Sequence, residues 1–133
     1  MTVFADTSAI YAVLDRDDSM HSRASAAWRE LLEGDETLLT SNYVILESFA
    51  LVQSRLGMVA LRVLADDVLA VIAAEWIGEE EHRAAAHAVL AADRRSLSLV
   101  DCTSFALMRR LGVDTSFTVD RHFEEQGFRT LPA

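Results

Sequence analysis

The sequence predicts an α/β fold in which a central parallel sheet of about four to five strands is flanked by helices on both faces. Two observations predict it. Short β-prone runs alternate along the chain with longer stretches of helical period, and most of the helical stretches begin or end at residues suited to caps. A third observation sets the scale: 133 residues correspond to about one domain, so residues 1–133 are expected to form a single unit. A hydrophobic content of 51% with 25% charged residues is that of a globular chain.

Residues 3–5 form an apolar β-prone run that ends at Asp6-Thr7-Ser8, three residues that favour helix N-caps, before an apolar stretch over residues 9–14. This reads as strand, cap and short helix. Residues 16–19 are a polar break. Residues 21–33 then place Ala24, Ala27, Trp28, Leu31 and Leu32 at helical spacing, with Gly34 as the stop. A second strand is expected over residues 37–40, and Ser41-Asn42 can cap a helix that runs to Leu56 and ends at Gly57. Residues 59–69 are again helical in pattern, and the β-prone residues 71–77 before Gly78 hold the third strand. Glu79, Glu80 and Glu81 open the next helix, where negative charge suits the macrodipole, and an alanine-rich run carries it to Asp93. Ser96 or Ser98 caps a helix through Leu111, stopped by Gly112. Residues 116–119 are strand-like, a short helical turn runs from Asp120 to Gln126, and residues 128–131 form a last strand.

Composition narrows the chemistry. The longest apolar stretch, residues 68–74, stops at Glu75, far short of the roughly 18 residues a membrane span needs. MTVFAD carries no basic region ahead of an apolar one, so a cytoplasmic protein without membrane association is expected. The single cysteine, Cys102, allows no internal disulfide and reads as a small packed residue. A net charge of −9 opposes nucleic-acid binding through the protein's own charges. All 12 basic residues are arginine. Phosphoaspartyl phosphatases, receiver domains and P-loop enzymes place a lysine on phosphate, so phosphate chemistry here needs arginine or a metal ion, whose positive charge a sequence count omits.

Four acids stand where a site can form. Asp6 and Asp120 each follow a strand, at the carboxyl ends where parallel sheets bind ligands. Glu47 has helical neighbours Tyr43, Val44, Ala50 and Leu51, so its charge needs a partner, a cation or an exit to solvent; Arg55 is the alternative partner. Asp101 lies three residues after Ser98, the spacing of a capping box. Taken singly, Asp6, Asp101 and Asp120 read equally well as helix caps, although Thr7 or Ser8 can cap in place of Asp6. Taken together, carboxylates from several elements suit Mg²⁺ or Mn²⁺. Trp28 and Trp76 read as core residues rather than base-stacking platforms. His21, His82, His87 and His122 offer no convincing histidine–metal spacing.

The motifs VFADTSA at residues 3–9, NYVILE at 42–47, SLVDCTSFA at 98–106 and FTVDRHF at 117–123 resemble the PIN-domain family in wording, order and spacing, over essentially the whole chain. Within that family the chain looks most like the VapC group, the toxins of bacterial type II toxin–antitoxin modules. The resemblance implies a metal-dependent endoribonuclease in which Asp6, Glu47, Asp101 and Asp120 coordinate Mg²⁺ or Mn²⁺. It further implies that Thr7, Ser8, Ser104 and Thr118 support the ligands. A cognate VapB-like antitoxin, an RNA substrate and a homodimer are implied as partners. Arg121, beside Asp120, is the foremost candidate for an RNA phosphate contact; Arg94, Arg95, Arg109 and Arg110 read as surface charges. Asp93 reads as a helix-end acid, although some relatives carry a further acid near there. The alternatives are a PIN-like nuclease with an RNA-processing or DNA substrate, and a non-catalytic PIN-like binding module.

Overall fold

The computed structural model describes residues 1–133. β1 (Thr2–Ala5) lies at the centre of a five-stranded, wholly parallel sheet in the order β3-β2-β1-β4-β5, formed with β2 (Thr37–Ser41), β3 (Ala73–Glu75), β4 (Thr115–Phe117) and β5 (Arg129–Leu131). β1 is central because Val3, Phe4 and Ala5 are all fully buried, as a strand covered on both faces must be. Parallel pairing requires crossovers, and seven helices supply or follow them: α1 (Thr7–Leu14), α2 (His21–Glu33), α3 (Asn42–Leu56), α4 (Met58–Val63), α5 (Glu79–Ala92), α6 (Leu99–Leu111) and α7 (His122–Glu125). No helix is long and apolar enough to cross a membrane.

The chain fills one side of β1 with β2 and β3, then returns to the other side for β4 and β5. The strand order therefore reverses between β1 and β4, and the crevice above their carboxyl ends is where a parallel α/β sheet receives ligands. Asp6 follows β1, and Asp120 stands three residues beyond β4.

The helix boundaries follow their caps. Ser41 accepts from the Val44 N–H at the start of α3, and Gly57, at φ +88°, ends that helix in a conformation that favours glycine. Ser98, rather than Ser96, caps α6, through a reciprocal capping box with Asp101. The helical pattern after Gly57 becomes α4 followed by a π-helical turn at Leu64–Val68 and a 3₁₀ turn at Leu69–Val71. Asp93 ends α5 in the left-handed conformation, an exposed helix-end acid.

One expectation is corrected. The third strand lies within residues 71–77 as expected but spans only Ala73–Glu75, because Val71 still belongs to the 3₁₀ turn and the strand sits at the sheet edge with Ala73 and Ala74 exposed. Trp76 consequently leaves the sheet and is 70% exposed instead of packed in the core. Trp28 does pack inward, stacked on Phe117 with ring centroids 5.7 Å apart.

Candidate active site

Asp6 is the N-cap of α1, one of the two readings its position allowed, and neither Thr7 nor Ser8 replaces it there. The cap still leaves the acid half free. Its Oδ2 accepts from the Ser8 hydroxyl at 2.6 Å, the Thr118 hydroxyl at 2.9 Å and the Ser8 N–H at 3.3 Å, whereas Oδ1 takes no protein hydrogen bond. Ser8 Oγ accepts from the Val119 N–H at 3.0 Å and Thr118 Oγ1 from the Asp120 N–H at 3.0 Å, and the two hydroxyl oxygens lie 3.1 Å apart, so both are held against Asp6. The ends of β1 and β4 are thereby joined through Asp6.

The other three acids reach the same crevice from different elements. Asp101, in the first turn of α6, accepts from the Ser98 N–H at 3.1 Å. Asp120 Oδ1 accepts from the His122 N–H at 2.9 Å, which starts α7. Glu47 comes from the middle of α3; it makes no ion pair with Arg55, whose guanidinium instead lies over the Tyr11 ring. The Thr7 hydroxyl beside Glu47 favours its charge.

Electrostatics ties the four together. Burial pushes Asp6 up to about 7, against the lowering influence of Ser8 and Thr118, and the charges of Asp101 and Asp120 raise it further. Burial also raises Glu47, followed in effect by the charges of Asp101 and Asp120. Asp101 is raised by burial and by Asp120, partly offset by the hydrogen bond from Ser98. These carboxylates repel one another in a space that disfavours their charge, the condition that a divalent cation relieves. The donor set is dominated by carboxylate oxygen, and Asp6 Oδ1 is uncommitted, so the residues present fit a hard cation such as Mg²⁺ or Mn²⁺.

The surrounding residues separate by what they touch. Ser8 and Thr118 hold Asp6, and Thr7 adjoins Glu47. Ser104 is buried, donates to the Val100 carbonyl at 3.0 Å and makes no hydrogen bond to the acids. Arg94 pairs with Glu125, Arg109 bonds Gln126, and Arg110 bridges Glu75 and Glu81. Arg121 has no ion-pair partner and lines a cavity of about 290 Å³ with Asp120 and Thr118. Cys102 is buried, and its thiol is raised by burial and by Asp101, the reverse of what a nucleophile needs.

A PIN-domain family model matches residues 3–129. This chain belongs to the PIN-domain family. Among curated relatives, the PIN domain is 30% identical over 127 residues to the 23S rRNA-specific endonuclease VapC20 of Mycobacterium tuberculosis, covering 95% of each protein. It superimposes on the crystal structure of that VapC20, described as a Sarcin-Ricin loop cleaving toxin, with a TM-score of 0.83 over 95% of both chains. The PIN domain also shares the fold of FitAcB from Neisseria gonorrhoeae, at a TM-score of 0.67 and 16% identity, over 98% of this chain and 96% of that one. The chain is thus a VapC-like PIN domain.

Sequence reasoning missed one residue at the site of this PIN domain. His122 lies beside Asp120 and Asp101, with Nδ1 at 2.9 Å from Asp120 Oδ1 and 3.9 Å from Asp101 Oδ2. The spacing Asp120-Arg121-His122 was the available signal, since two positions at the entrance to a short helix can turn to the same side. The spacing of the histidines hides it, because its neighbours are carboxylates and not another histidine. One supporting contact is open to direct test. Replacing Thr118 with valine removes the hydroxyl that holds Asp6 and receives the Asp120 N–H, so cleavage is expected to fall about 10–100-fold with the fold retained, measured by initial rates and circular dichroism.

Proposed function

We propose that this PIN domain, residues 1–133, is a metal-dependent endoribonuclease acting as the toxin of a VapBC-type toxin–antitoxin module, with Asp6, Glu47, Asp101 and Asp120 holding Mg²⁺ or Mn²⁺. The observation that carries this reading is the meeting of acids from separate elements at the point where the strand order reverses, where the charges of Asp101 and Asp120 act on both Asp6 and Glu47. Asp6 presents Oδ1 to the crevice while Ser8 and Thr118 hold Oδ2 still. Asp101 and Asp120 are oriented by main-chain N–H groups, which limits their rearrangement during a reaction. Held by these acids, a divalent cation would supply Lewis acidity, favouring deprotonation of an attacking water and stabilising negative charge on the phosphate and the departing 3′-oxygen. In-line displacement leaves a 5′-phosphate and a 3′-hydroxyl. On this reading Arg121, which lines a cavity with Asp120 and Thr118 and has no ion-pair partner, contacts a neighbouring phosphate and so helps an acidic protein hold RNA.

VapC20 is named for cleavage of 23S rRNA, and the 30% identity over 95% of both proteins supports ribosomal RNA as the substrate class here. A small VapB-like antitoxin that presents an arginine complements the acidic crevice, and we infer a homodimer working in the cytoplasm. Mapping cut ends after digestion of total RNA tests the activity. Cleavage is expected to stop in excess EDTA, to return with Mg²⁺ or Mn²⁺, and to be absent from Asp101→Asn. Cleavage that persists in EDTA sinks the metal mechanism, and absence of any cleavage favours a binding module. Growth arrest on induction, relieved by Asp101→Asn, tests the toxin role.

A further inference from the structure

His122 is the one nitrogen donor among the acids. Its side chain is 14% exposed, and its Nδ1 is shut off from solvent and has no hydrogen-bond partner. The 2.9 Å separation from Asp120 Oδ1 has a hydrogen-bond length without a hydrogen-bond direction, so the carboxylate does not satisfy it. The other ring nitrogen, Nε2, lies 3.3 Å from the Ser96 hydroxyl, which can accept its proton. In that tautomer Nδ1 carries a lone pair, and a buried lone pair facing two carboxylates is electrostatically unfavourable unless something positive stands between them.

The distances fit such a positive centre. Ligands about 2.1 Å from an octahedral ion lie about 3 Å apart when adjacent and about 4.2 Å apart when opposite. The Nδ1 separations of 2.9 Å and 3.9 Å from Asp120 and Asp101 fall on and near these two values. One oxygen from each acid and the Nδ1 lie within 4.8 Å of one another, close enough to share a single ion.

We infer that His122 Nδ1 is a direct ligand of the divalent cation, completing an oxygen-and-nitrogen set with Asp101 and Asp120; the inference rests on the metal site proposed above. An imidazole in the set shifts preference toward transition metals over Mg²⁺, because nitrogen is a softer donor than carboxylate oxygen. His122 thereby tunes which ion the enzyme uses. Ser96, 3.3 Å from Nε2, is the positioning residue that holds the ring in this orientation.

Electron spin-echo envelope modulation of the Mn²⁺-loaded protein tests this without reference to activity. The wild-type complex is expected to show ¹⁴N modulation from a directly bound imidazole, which changes to the ¹⁵N pattern when histidine alone is ¹⁵N-labelled. His122→Gln should abolish the modulation, whereas His87→Gln, on an exposed face of α5, should keep it. By calorimetry, His122→Gln should weaken Mn²⁺ about 10-fold or more and Mg²⁺ much less. The labelled wild-type protein decides the matter even if the variant does not fold. Mn²⁺ that binds, is lost in Asp101→Asn, and shows no histidine nitrogen coupling overturns this inference and leaves the acidic metal site standing. Mn²⁺ binding unaffected by Asp6→Asn and Asp101→Asn overturns both.

Discussion

Asp6→Asn is expected to lower RNA cleavage by more than about 100-fold and, in the same protein, to raise the thermal stability of the metal-free form at pH 8. The loss exceeds about 100-fold because that is the upper end of what outer partners of metal ligands cost, and Asp6 is proposed as a ligand itself. The gain in stability follows from burial. Asp6 is 3% exposed, and its carboxyl titrates near pH 7. At pH 8 the folded protein must hold a charge there that its surroundings disfavour. Asparagine keeps an oxygen to accept from Ser8 and Thr118 and carries no charge. Initial rates and thermal melts on one preparation check both halves. A merely structural Asp6 predicts the opposite pairing, with stability lost and activity falling only in proportion.

The second large effect is a pH-dependent loss of stability that a divalent cation offsets. Below about pH 3.8 Asp6 is protonated in both folded and unfolded chains. Between about 3.8 and 7 the unfolded chain ionises while the folded one retains its proton, so the stability this group contributes is lost as pH rises through that window. Three pH units correspond to about 4 kcal/mol as an upper limit, read as the difference between wild type and Asp6→Asn so that other groups cancel. Glu47 and Asp101 are shifted in the same direction. A cation that replaces the proton offsets much of this loss: at 100 times its Kd it adds about 2.7 kcal/mol, and its affinity should rise with pH up to about 7. Urea unfolding between pH 4 and 8, with EDTA or with Mg²⁺, measures this. Equal stability of wild type and Asp6→Asn across the range would show that Asp6 is not buried against its charge.

Much of the fold was legible because its signals are local. Ser41, Gly57, Ser98 and Gly112 stop and start helices by backbone chemistry that depends only on near neighbours, and the structure ends its helices at them. Fully buried central strands announce themselves as apolar runs, as Val3-Phe4-Ala5 does. Trp76 was misread for the same reason. An aromatic in a β-prone run looks buried, and only the structure shows that the strand stops at Glu75, on the sheet edge, just before it.

The acidic quartet divides along the same line. By itself the sequence determined which residue types occur in which motifs, the family those motifs resemble, and that Glu47 needed an account of its charge. The tertiary structure alone decided that β1 and β4 are neighbours, that Asp6 is both a cap and a half-free carboxylate, and that His122 stands with Asp101 and Asp120. The physical reason is range. Caps and periodicity act over a few residues, whereas Asp6 is raised first by its burial and then by Asp101 and Asp120, and both the burial and those remote charges exist only once the sheet has closed.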